Sequence, residues 1–286
     1  MKVDLQLHST YSDGQLTPTA LAKFIAKQGV KAAALTDHNT IGGWDEFAAA
    51  CHKLKMKPIL GLELYVRLGA RQLNLLWYNF DSANEALHKL LHETQARRRA
   101  SLRRFFKKLS RHGLKLDLEK ILDQERHYVP INRLIDELLA VPGNLAKIKH
   151  DLKNDQPRED EIIRHYFYNQ HFGILHESCI NLARIIKLKK QIGGQLILAH
   201  PGKNGQLELE LLIKLKNIGL DGVEVLSPHH SLSSVMHAQH LVARLNLIAS
   251  GGSDYHRSEN SRFLQNCYDY WQAESRFLPG VDRIIK

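Results

Sequence analysis

The 286-residue sequence predicts an α/β fold with a mainly parallel sheet that a helical segment interrupts. Predicted strands and helices alternate over residues 1–83, and the alternation returns over residues 191–286. Residues 84–190 instead show long, polar and basic helical patterns without an alternating strand pattern. Because strands that alternate with helices are typical of a parallel sheet with covered faces, we expect one α/β domain in two parts, with a helical insertion between them.

Local signals predict the order of the elements. Thr17 and Pro18 predict a helix start, because Thr caps helix N-termini and Pro favours the first helical position, and Gly29 predicts the end of this helix. Gly193 and Gly194 precede the return of strand patterns. Strands are predicted at 3–7, 30–35, 58–63, 73–77, 195–200, 222–225 and 247–250. Further helices outside the insertion are predicted at 44–54, 207–218 and 231–245.

Composition excludes several classes of protein. With 43% hydrophobic and 24% charged residues, the chain lies in the range of globular domains, not of disordered or fibrous proteins. No apolar run approaches the roughly 20 residues of a membrane span, and the first residues lack the pattern of a signal peptide. The cysteines, Cys51, Cys179 and Cys267, are too far apart for a disulfide scaffold. We therefore expect a cytoplasmic protein with no membrane partner.

Side chains that can bind metal ions follow most of the predicted strands. For any one of them a structural hydrogen-bonding role is the simpler interpretation, but their number favours a common site. Because the carboxyl ends of parallel strands meet at one edge of a sheet, we expect these side chains to converge. In chain order they are Gln6, His8, Asp13, Asp37, His38, Glu63, Asn74, His200, Asp254 and His256.

The residue types indicate the chemistry of this site. Histidine and carboxylate ligands without thiolates suit divalent ions such as Mn²⁺, Zn²⁺ or Fe²⁺. Closely spaced metal ions can hold an anionic ester and activate water at neutral pH. Lysine and arginine exceed aspartate and glutamate by 40 to 30, and the net charge of +10 favours an anionic partner. Hydrolysis of a phosphate ester is the reaction that fits best, and amide hydrolysis by an amidohydrolase remains an alternative.

The motifs around these residues resemble those of the PHP (polymerase and histidinol phosphatase) superfamily, in the same order. The resemblance is greatest to the stand-alone bacterial phosphoesterases that act on 3′,5′-bisphosphate nucleotides and on the 5′ ends of short RNA. It implies a distorted, TIM-like (β/α)₇ barrel with up to three metal ions. The motifs begin at Val3-Asp4-Leu5-Gln6-Leu7-His8, Leu35-Thr36-Asp37-His38, Gly61-Leu62-Glu63, Ala199-His200-Pro201-Gly202 and Gly252-Ser253-Asp254-Tyr255-His256.

The chain departs from the family pattern at a few metal ligands. Gln6 and Asn74 stand where the family has histidines, and a third family histidine has no clear counterpart near Asn132. The resemblance assigns one metal ion to Asp13, His38 and His256. It assigns a second ion to Gln6, His8, Glu63 and Asp254. A third site would rely on Glu63 and the missing histidines, so we expect it to be empty or weak and the chain to hold one or two ions.

Other residues receive roles around the metal ions. We expect His200 to act in catalysis, by binding phosphoryl oxygens, by protonating the leaving oxygen or as a ligand. Asp37 is a second catalytic candidate, either through direct binding or by orienting a ligand. Three cations are candidate contacts for substrate phosphates: Lys203, Arg133 and Arg257. A further cluster of histidines is expected on a helix surface, with a role in the site as the less favoured alternative: His229, His230, His237 and His240. The basic helix at 97–111 is either a solvated face or a guide for a phosphate-rich substrate.

The sequence therefore predicts a metal-dependent hydrolase that acts on phosphate monoesters of nucleotides or on the 5′ ends of short RNA. Its partners would be a phosphorylated small molecule, with short RNA or single-stranded DNA as further candidates. The alternative is a PHP-like chain that has lost catalysis and binds a phosphorylated ligand or nucleic acid, which Gln6 and Asn74 motivate. An accessory domain of a polymerase is the least favoured reading, because no polymerase portion follows.

Overall fold

The computed structural model describes residues 1–124, 127–257 and 271–286. Its contacts divide the described chain into two units. Unit 1 contains residues 1–91, 179–256 and 271–286, and unit 2 contains residues 92–178 together with Arg257. Both borders of the 92–178 segment fall inside the predicted 84–190 insertion, because a single helix crosses the first border and a helix that packs on the sheet follows the second.

The strands are short except for two in the first part of the chain. In chain order they are β1 (Lys2–Asp4), β2 (Ala32–Leu35), β3 (Lys57–Leu68), β4 (Arg71–Tyr78), β5 (Tyr168–Asn169), β6 (Gly173–Ile174), β7 (Ile180–Asn181), β8 (Gln195–Leu198), β9 (Gly222–Leu226), β10 (Ile248–Gly251) and β11 (Ala273–Glu274). Two-residue strands β5 and β6 lie in unit 2, where the sequence predicted helices alone.

The helices vary from one turn to more than seven turns. They are α1 (Pro18–Lys27), α2 (Trp44–Lys53), α3 (Glu85–Arg111), α4 (Leu118–Gln124), α5 (Ile131–Ala140), α6 (Pro142–Leu152), α7 (Glu159–Ile162), α8 (Leu182–Ile192), α9 (Leu209–Ile218), α10 (Leu232–Leu245) and α11 (Asp282–Ile285). α1 begins as predicted, because the Thr17 hydroxyl accepts a hydrogen bond from the Ala20 amide and Pro18 fills the first helical position. Every helix in the described parts of the chain is too short or too polar to cross a membrane.

The sheet of unit 1 has the strand order β10-β9-β8-β4-β3-β2-β1-β11. Two parallel sets, β1-β2-β3 and β8-β9-β10, flank β4, which is antiparallel to both of its neighbours. β4 must reverse direction because Gly69, with a φ of +59°, turns the chain tightly after β3. The sheet nearly closes on itself, since the Leu5 amide donates to the Gly251 carbonyl at 3.2 Å. The predicted α/β fold with a distorted barrel is confirmed.

Close packing at this seam leaves no room for a side chain at Gly252. A Cβ atom there would lie 2.4 Å from the amide nitrogen of Gln6. The small residue therefore lets the chain after β10 come next to the chain after β1. The seam carries residues from opposite ends of the sequence into one place.

The two units have separate hydrophobic cores. The main core of unit 1 lies around β3, β4, β8 and β9, with Trp77 and Tyr78 fully buried. A smaller cluster joins α1 and α2 to β2. The core of unit 2 is built on Leu102, Phe105 and Phe106 of α3 with residues of α4 to α7. Cys51 and Cys179 are free thiols, and Cys267 lies outside the described residues.

Candidate metal centre

Histidine and carboxylate side chains meet in unit 1, at the edge where the parallel strands end. His8 follows β1, His38 follows β2 and Asp254 follows β10. Glu63 lies within β3 and forms a parallel bridge with His38. β3 continues to Leu68, beyond the predicted end at Glu63, because its second half pairs with β4.

Four of these residues form the group that we call the Asp13 group: His8, Asp13, His38 and His256. Each offers one ligand atom, and these atoms all lie within 4.8 Å of one another. The Asp13 carboxylate has His256 Nε2 at 3.2 Å, His38 Nε2 at 3.4 Å and His8 Nδ1 at 3.4 Å. Three imidazoles around one carboxylate are a donor set that suits a borderline divalent ion.

A second set, the Glu63 group, contains His8, Glu63 and Asp254. His8 Nε2 lies 3.1 Å from Glu63 Oε2 and 3.0 Å from Asp254 Oδ1. His8 therefore belongs to both groups, with one ring nitrogen facing each. All three residues of the Glu63 group are buried, which makes this the drier side of the centre.

The His8 ring provides a test of whether a metal ion fits. Both of its nitrogens are buried, and neither has a partner with hydrogen-bond geometry among the described residues. Buried polar atoms without a hydrogen-bond partner are rare in native structures, and a bound ion is one reason for them. Carboxylates within 3.4 Å of both nitrogens supply the compensating charge that such an ion needs. The residues present thus fit a divalent metal ion.

The electrostatics of the centre favour charged carboxylates. Burial acts to raise the pKa of Asp13, Glu63 and Asp254, but the surrounding imidazoles outweigh it and hold each pKa well below its usual range. Burial acts to lower the pKa of His8, and the nearby carboxylates outweigh it and raise that pKa. For His38, burial prevails and lowers the pKa. Ionised carboxylates and a neutral imidazole are the forms that bind metal ions.

The side-chain amides of Gln6 and Asn74 both donate to Glu63. Gln6 Nε2 lies 3.1 Å from Oε2, and Asn74 Nδ2 lies 2.7 Å from Oε1. Gln6 Oε1 is buried and has no hydrogen-bond partner in the described structure. Asn74 lies inside β4 and not at a strand end as predicted, because antiparallel β4 presents its first half to the edge where the parallel strands end. Both oxygens of Glu63 are therefore engaged by neutral donors.

His200 adjoins the Glu63 group from the end of β8. Its Nε2 lies 3.3 Å from Glu63 Oε1, and only 11% of its side chain is exposed. Its backbone has a φ of +26°, an uncommon conformation that occurs most often at functional sites. The His200 amide donates to Glu224 Oε2 at 2.7 Å, which helps to hold this conformation.

Sequence reasoning missed Glu224 and favoured the wrong location for His229. Glu224 is fully buried in β9, where burial and the charge of Asp254 raise its pKa well above the usual value. His229 Nε2 lies 2.7 Å from Asp254 Oδ2, so the expectation that it lies on a helix surface is wrong. His229 belongs to the turn between β9 and α10, and the strand-end signal used for the other residues would have found it.

Asp37 is buried beside the loop that carries His8 and Asp13. Its Oδ1 accepts hydrogen bonds from the Ser9 amide at 2.7 Å and the Ser12 hydroxyl at 2.6 Å, and its Oδ2 accepts one from the Ser9 hydroxyl at 2.7 Å. Burial raises the pKa of Asp37. These contacts favour the interpretation that Asp37 orients the ligand loop.

The three candidate phosphate contacts are in different parts of the chain. Lys203 is exposed in unit 1, in the turn Pro201–Asn204 that follows His200. Arg133 and Arg257 belong to unit 2, where Arg133 pairs with Glu137 at 3.0 Å and Arg257 with Glu159 at 3.3 Å. Their contact with a substrate phosphate stays a prediction.

Comparison with known proteins gives a consistent family. A sequence profile described as the PHP domain matches residues 4–177. A phosphoribosyl 1,2-cyclic phosphate 1,2-diphosphodiesterase of Eggerthella lenta is 28% identical, over 88% of this chain and 93% of the relative. A 5′-3′ exoribonuclease of Haemophilus influenzae is 26% identical, over 89% and 90%. A 3′,5′-nucleoside bisphosphate phosphatase of Chromobacterium violaceum is 29% identical, over 98% and 99%.

A solved structure supports the fold. A Chromobacterium violaceum protein named an amidohydrolase, solved with sulfate bound and no metal, matches with a TM-score of 0.72. The match covers 94% of this chain and 92% of that one at 24% sequence identity. At this identity the likeness shows a common fold.

Proposed function

The chain belongs to the PHP domain family, and on this basis we propose that it is a metal-dependent phosphoesterase whose substrates are nucleotides of the 3′,5′-bisphosphate type or the 5′ ends of short RNA. The observation that carries this proposal is the buried His8 ring, which faces Asp13 with one nitrogen and Glu63 and Asp254 with the other. The names of the relatives support the substrate class, because two of them act on nucleotides or RNA.

The Asp13 group is the stronger of two sites for a divalent ion. It keeps three imidazoles and a carboxylate, whereas the Glu63 group adds Gln6, which can coordinate only through its buried Oε1. We therefore propose one or two ions per chain, with Mn²⁺, Zn²⁺ and Fe²⁺ as candidates. A divalent ion held there supplies charge for the phosphoryl oxygens and makes a water molecule more acidic.

The chain's own residues position the reaction around these ligands. Asp37 fixes Ser9 and Ser12, and through them the loop that carries His8 and Asp13. Glu224 holds the His200 backbone, so that the imidazole lies beside Glu63 with part of its surface open. In this position the His200 ring can bind a phosphoryl oxygen or give a proton to the leaving oxygen.

Phosphate release from adenosine 3′,5′-bisphosphate tests this function. Chelator-treated protein is reloaded with Mn²⁺, Zn²⁺ or Fe²⁺, and we expect release that depends on the added ion. The variant His256→Ala should abolish release, because it removes one imidazole of the Asp13 group. Its matched control is His240→Ala, which alters an exposed histidine of α10. Folded, metal-loaded protein that releases no phosphate would instead favour a ligand-binding protein that has lost catalysis.

Metal content tests the proposed stoichiometry separately. We expect the double variant Gln6→His with Asn74→His to raise the ion count towards two per chain, since imidazole nitrogens can coordinate at the Glu63 group where amides now donate to Glu63. Native mass spectrometry counts the ions without any need for activity. Gln239→His, on the exposed side of α10, is the control for added histidine. An unchanged ion count in the double variant contradicts the assignment of the amides.

A further inference from the structure

The exposed side of α3 carries a line of positive charge in unit 2. We define the basic stripe by its five members, which all have exposed side chains: Arg97, Arg104, Lys107, Lys108 and Arg111. At 100° per residue they cover an arc of about 100° on the helix. The opposite side of α3 is buried, with Leu102, Phe105 and Leu109 in the core of unit 2. The stripe therefore faces solvent along its whole length.

The charges of the stripe are not balanced by acids. Residues 94–116 contain nine lysines and arginines and no aspartate or glutamate. Other cations of this helix have partners: Arg103 pairs with Glu119, and Arg98 pairs with Glu177. Among the described residues, no carboxylate lies within ion-pair distance of a stripe side chain. A concentration of unpaired charge of one sign favours a polyanionic partner.

The stripe is long enough to face several phosphates. Fourteen residue steps separate Arg97 from Arg111, which at about 1.5 Å per residue gives about 21 Å along the helix. Phosphates of one nucleic-acid strand follow each other at about 3.4 Å along a duplex axis. A single small phosphate ester could contact only part of this surface.

Aromatic rings lie at the end of the stripe. The hairpin β5–β6 approaches α3 there, since a Cβ atom on Gly173 would lie 3.5 Å from Lys108 Cδ. His171, in the turn of this hairpin, is exposed, and its ring centre lies 4.9 Å from that of His112, the residue after Arg111. Tyr168 of the same hairpin is 51% exposed. Exposed rings next to cations are the pair of features on which unstacked bases bind.

We propose that the basic stripe, with the adjoining rings of the β5–β6 hairpin, binds the backbone and bases of a single-stranded RNA. The inference deepens the proposed function by favouring a polynucleotide substrate over a mononucleotide. An anionic membrane is the less suitable partner, because membrane-binding basic helices also insert an apolar side. In α3 the apolar side is occupied by the core of unit 2.

Equilibrium binding of a single-stranded RNA of roughly 16 nucleotides tests the proposal. Fluorescence anisotropy is measured in chelator, so that no strand is hydrolysed and binding is read without activity. The test variant is Arg104→Gln, Lys108→Gln and Arg111→Gln together. Its control neutralises three exposed lysines of α8 and α9 in unit 1, Lys187→Gln, Lys190→Gln and Lys214→Gln, and so changes the net charge equally.

We expect the stripe variant to bind RNA at least about 10-fold more weakly than wild type, whereas the control binds as wild type does. Loss of three contacts should also reduce the slope of log K against log salt by about 2, at about 0.7 per phosphate. Arg104→Lys with Arg111→Lys keeps the charge and should keep the affinity. Equal weakening in the stripe variant and the control, or no weakening in either, overturns the proposal. The proposal is also overturned if the stripe variant loses binding to phosphatidylserine vesicles but keeps its affinity for RNA.

This outcome is separable from that of the proposed function. RNA binding in chelator does not require the metal centre, and phosphate release from adenosine 3′,5′-bisphosphate does not require a long strand. Binding without release would leave the stripe intact as a nucleic-acid surface. If phosphate is released and the stripe variant binds RNA as wild type does, the protein is a phosphoesterase of small nucleotides and the stripe does not bind RNA.

Discussion

Both units of the molecule bury side chains that can carry charge, but the charged groups around these side chains differ. In unit 2 the Arg98 side chain is 2% exposed, and its guanidinium meets Glu177 at 3.1 Å and the carbonyl oxygens of Val129 and His176. In unit 1 the His8 ring is buried among carboxylates, and neither of its nitrogens forms a hydrogen bond to a described residue. Arg98 and Glu177 form an ion pair within unit 2, whereas three carboxylates surround the His8 ring in unit 1 and favour a further cation.

The contrast extends to the backbone. Asn39, His200 and Asp254, all beside the metal centre, have positive φ values of 51°, 26° and 51°. Such conformations cost of order 1–3 kcal/mol each and persist where the surrounding structure fixes them. Among the described residues of unit 2, the only non-glycine residue with a positive φ is Lys153, at the C-terminal end of α6. Three of the six such residues described in unit 1 therefore lie beside the metal centre, and the other three, Lys55, Asn79 and Asn246, follow α2, β4 and α10.

The largest effect on activity is expected from Asp13→Asn in unit 1. The change keeps the shape of the side chain but removes the carboxylate that three imidazoles share. We expect kcat/KM for phosphate release to fall by about 1,000-fold, which corresponds to several kcal/mol of stabilisation. Metal content should fall with it. Near wild-type turnover in this variant would show that the Asp13 group is not the working site.

Glu177→Ala addresses the buried charge of unit 2. It leaves Arg98 buried without its carboxylate, and breaking a buried pair in this way typically costs 3–5 kcal/mol. Chemical denaturation should therefore show a large loss in the free energy of unfolding. Glu119→Ala is the matched control, because its partner Arg103 is exposed and no measurable loss is expected. Equal stability of the two variants would remove the distinction between the units.

Asp37→Asn should have a smaller effect that is specific to metal binding. The amide keeps one acceptor oxygen for the Ser9 amide and the Ser12 hydroxyl, but its NH2 group cannot accept from the Ser9 hydroxyl as Oδ2 does. The loop with His8 and Asp13 is therefore held less well. Changes to groups that orient ligands typically weaken metal affinity by about 10–100-fold. Calorimetric titration with Mn²⁺ measures the metal affinity. The control is Asp45→Asn, which changes an exposed aspartate of α2. Unchanged affinity would favour another role for Asp37.

The smallest effect is expected from Asp151→Asn in unit 2. Burial opposes ionisation of Asp151, but hydrogen bonds from Lys147 and Tyr166 outweigh it and lower the pKa to about 2. A lowered pKa gives stability that is present above the unfolded pKa near 3.9 and is lost as the pH falls through the folded value. Allowing for partial exposure, the variant should lose about 1 kcal/mol at neutral pH, and this difference should shrink as the pH falls towards about 2 and vanish only below it. A difference independent of pH would contradict this assignment.

Strand periodicity and helix caps made much of unit 1 predictable. The start of α1 at Pro18, the extent of α2 and the return of strand patterns after Gly194 all depend on signals between residues close in sequence. The direction of β4 was not foreseen, because it depends on whether the turn at Gly69 closes a hairpin. The short pair β5–β6 was missed since two residues carry no periodicity.

The candidate site was predictable to the extent that strand ends converge. His8, Asp13, His38, Glu63, Asp254 and His256 come together in one place, as expected from the carboxyl edge of a parallel sheet. Glu224 lies inside a strand, where an acidic residue gives no sign of which backbone amide it will accept from. The donation of Gln6 and Asn74 to Glu63 depends on side-chain rotamers that only the packed structure fixes.

The separation of β4 from β8 along the chain has a consequence for folding kinetics. The two strands pair through Leu75 and Leu198, so more than a hundred residues must form a loop before this part of the barrel exists. Closing a long loop costs entropy before the contact rewards it, and such topologies fold slowly. Unit 2 has its own hydrophobic core inside that loop. Early condensation of unit 2 would shorten the disordered path between the strands and so lower the entropy cost of pairing them.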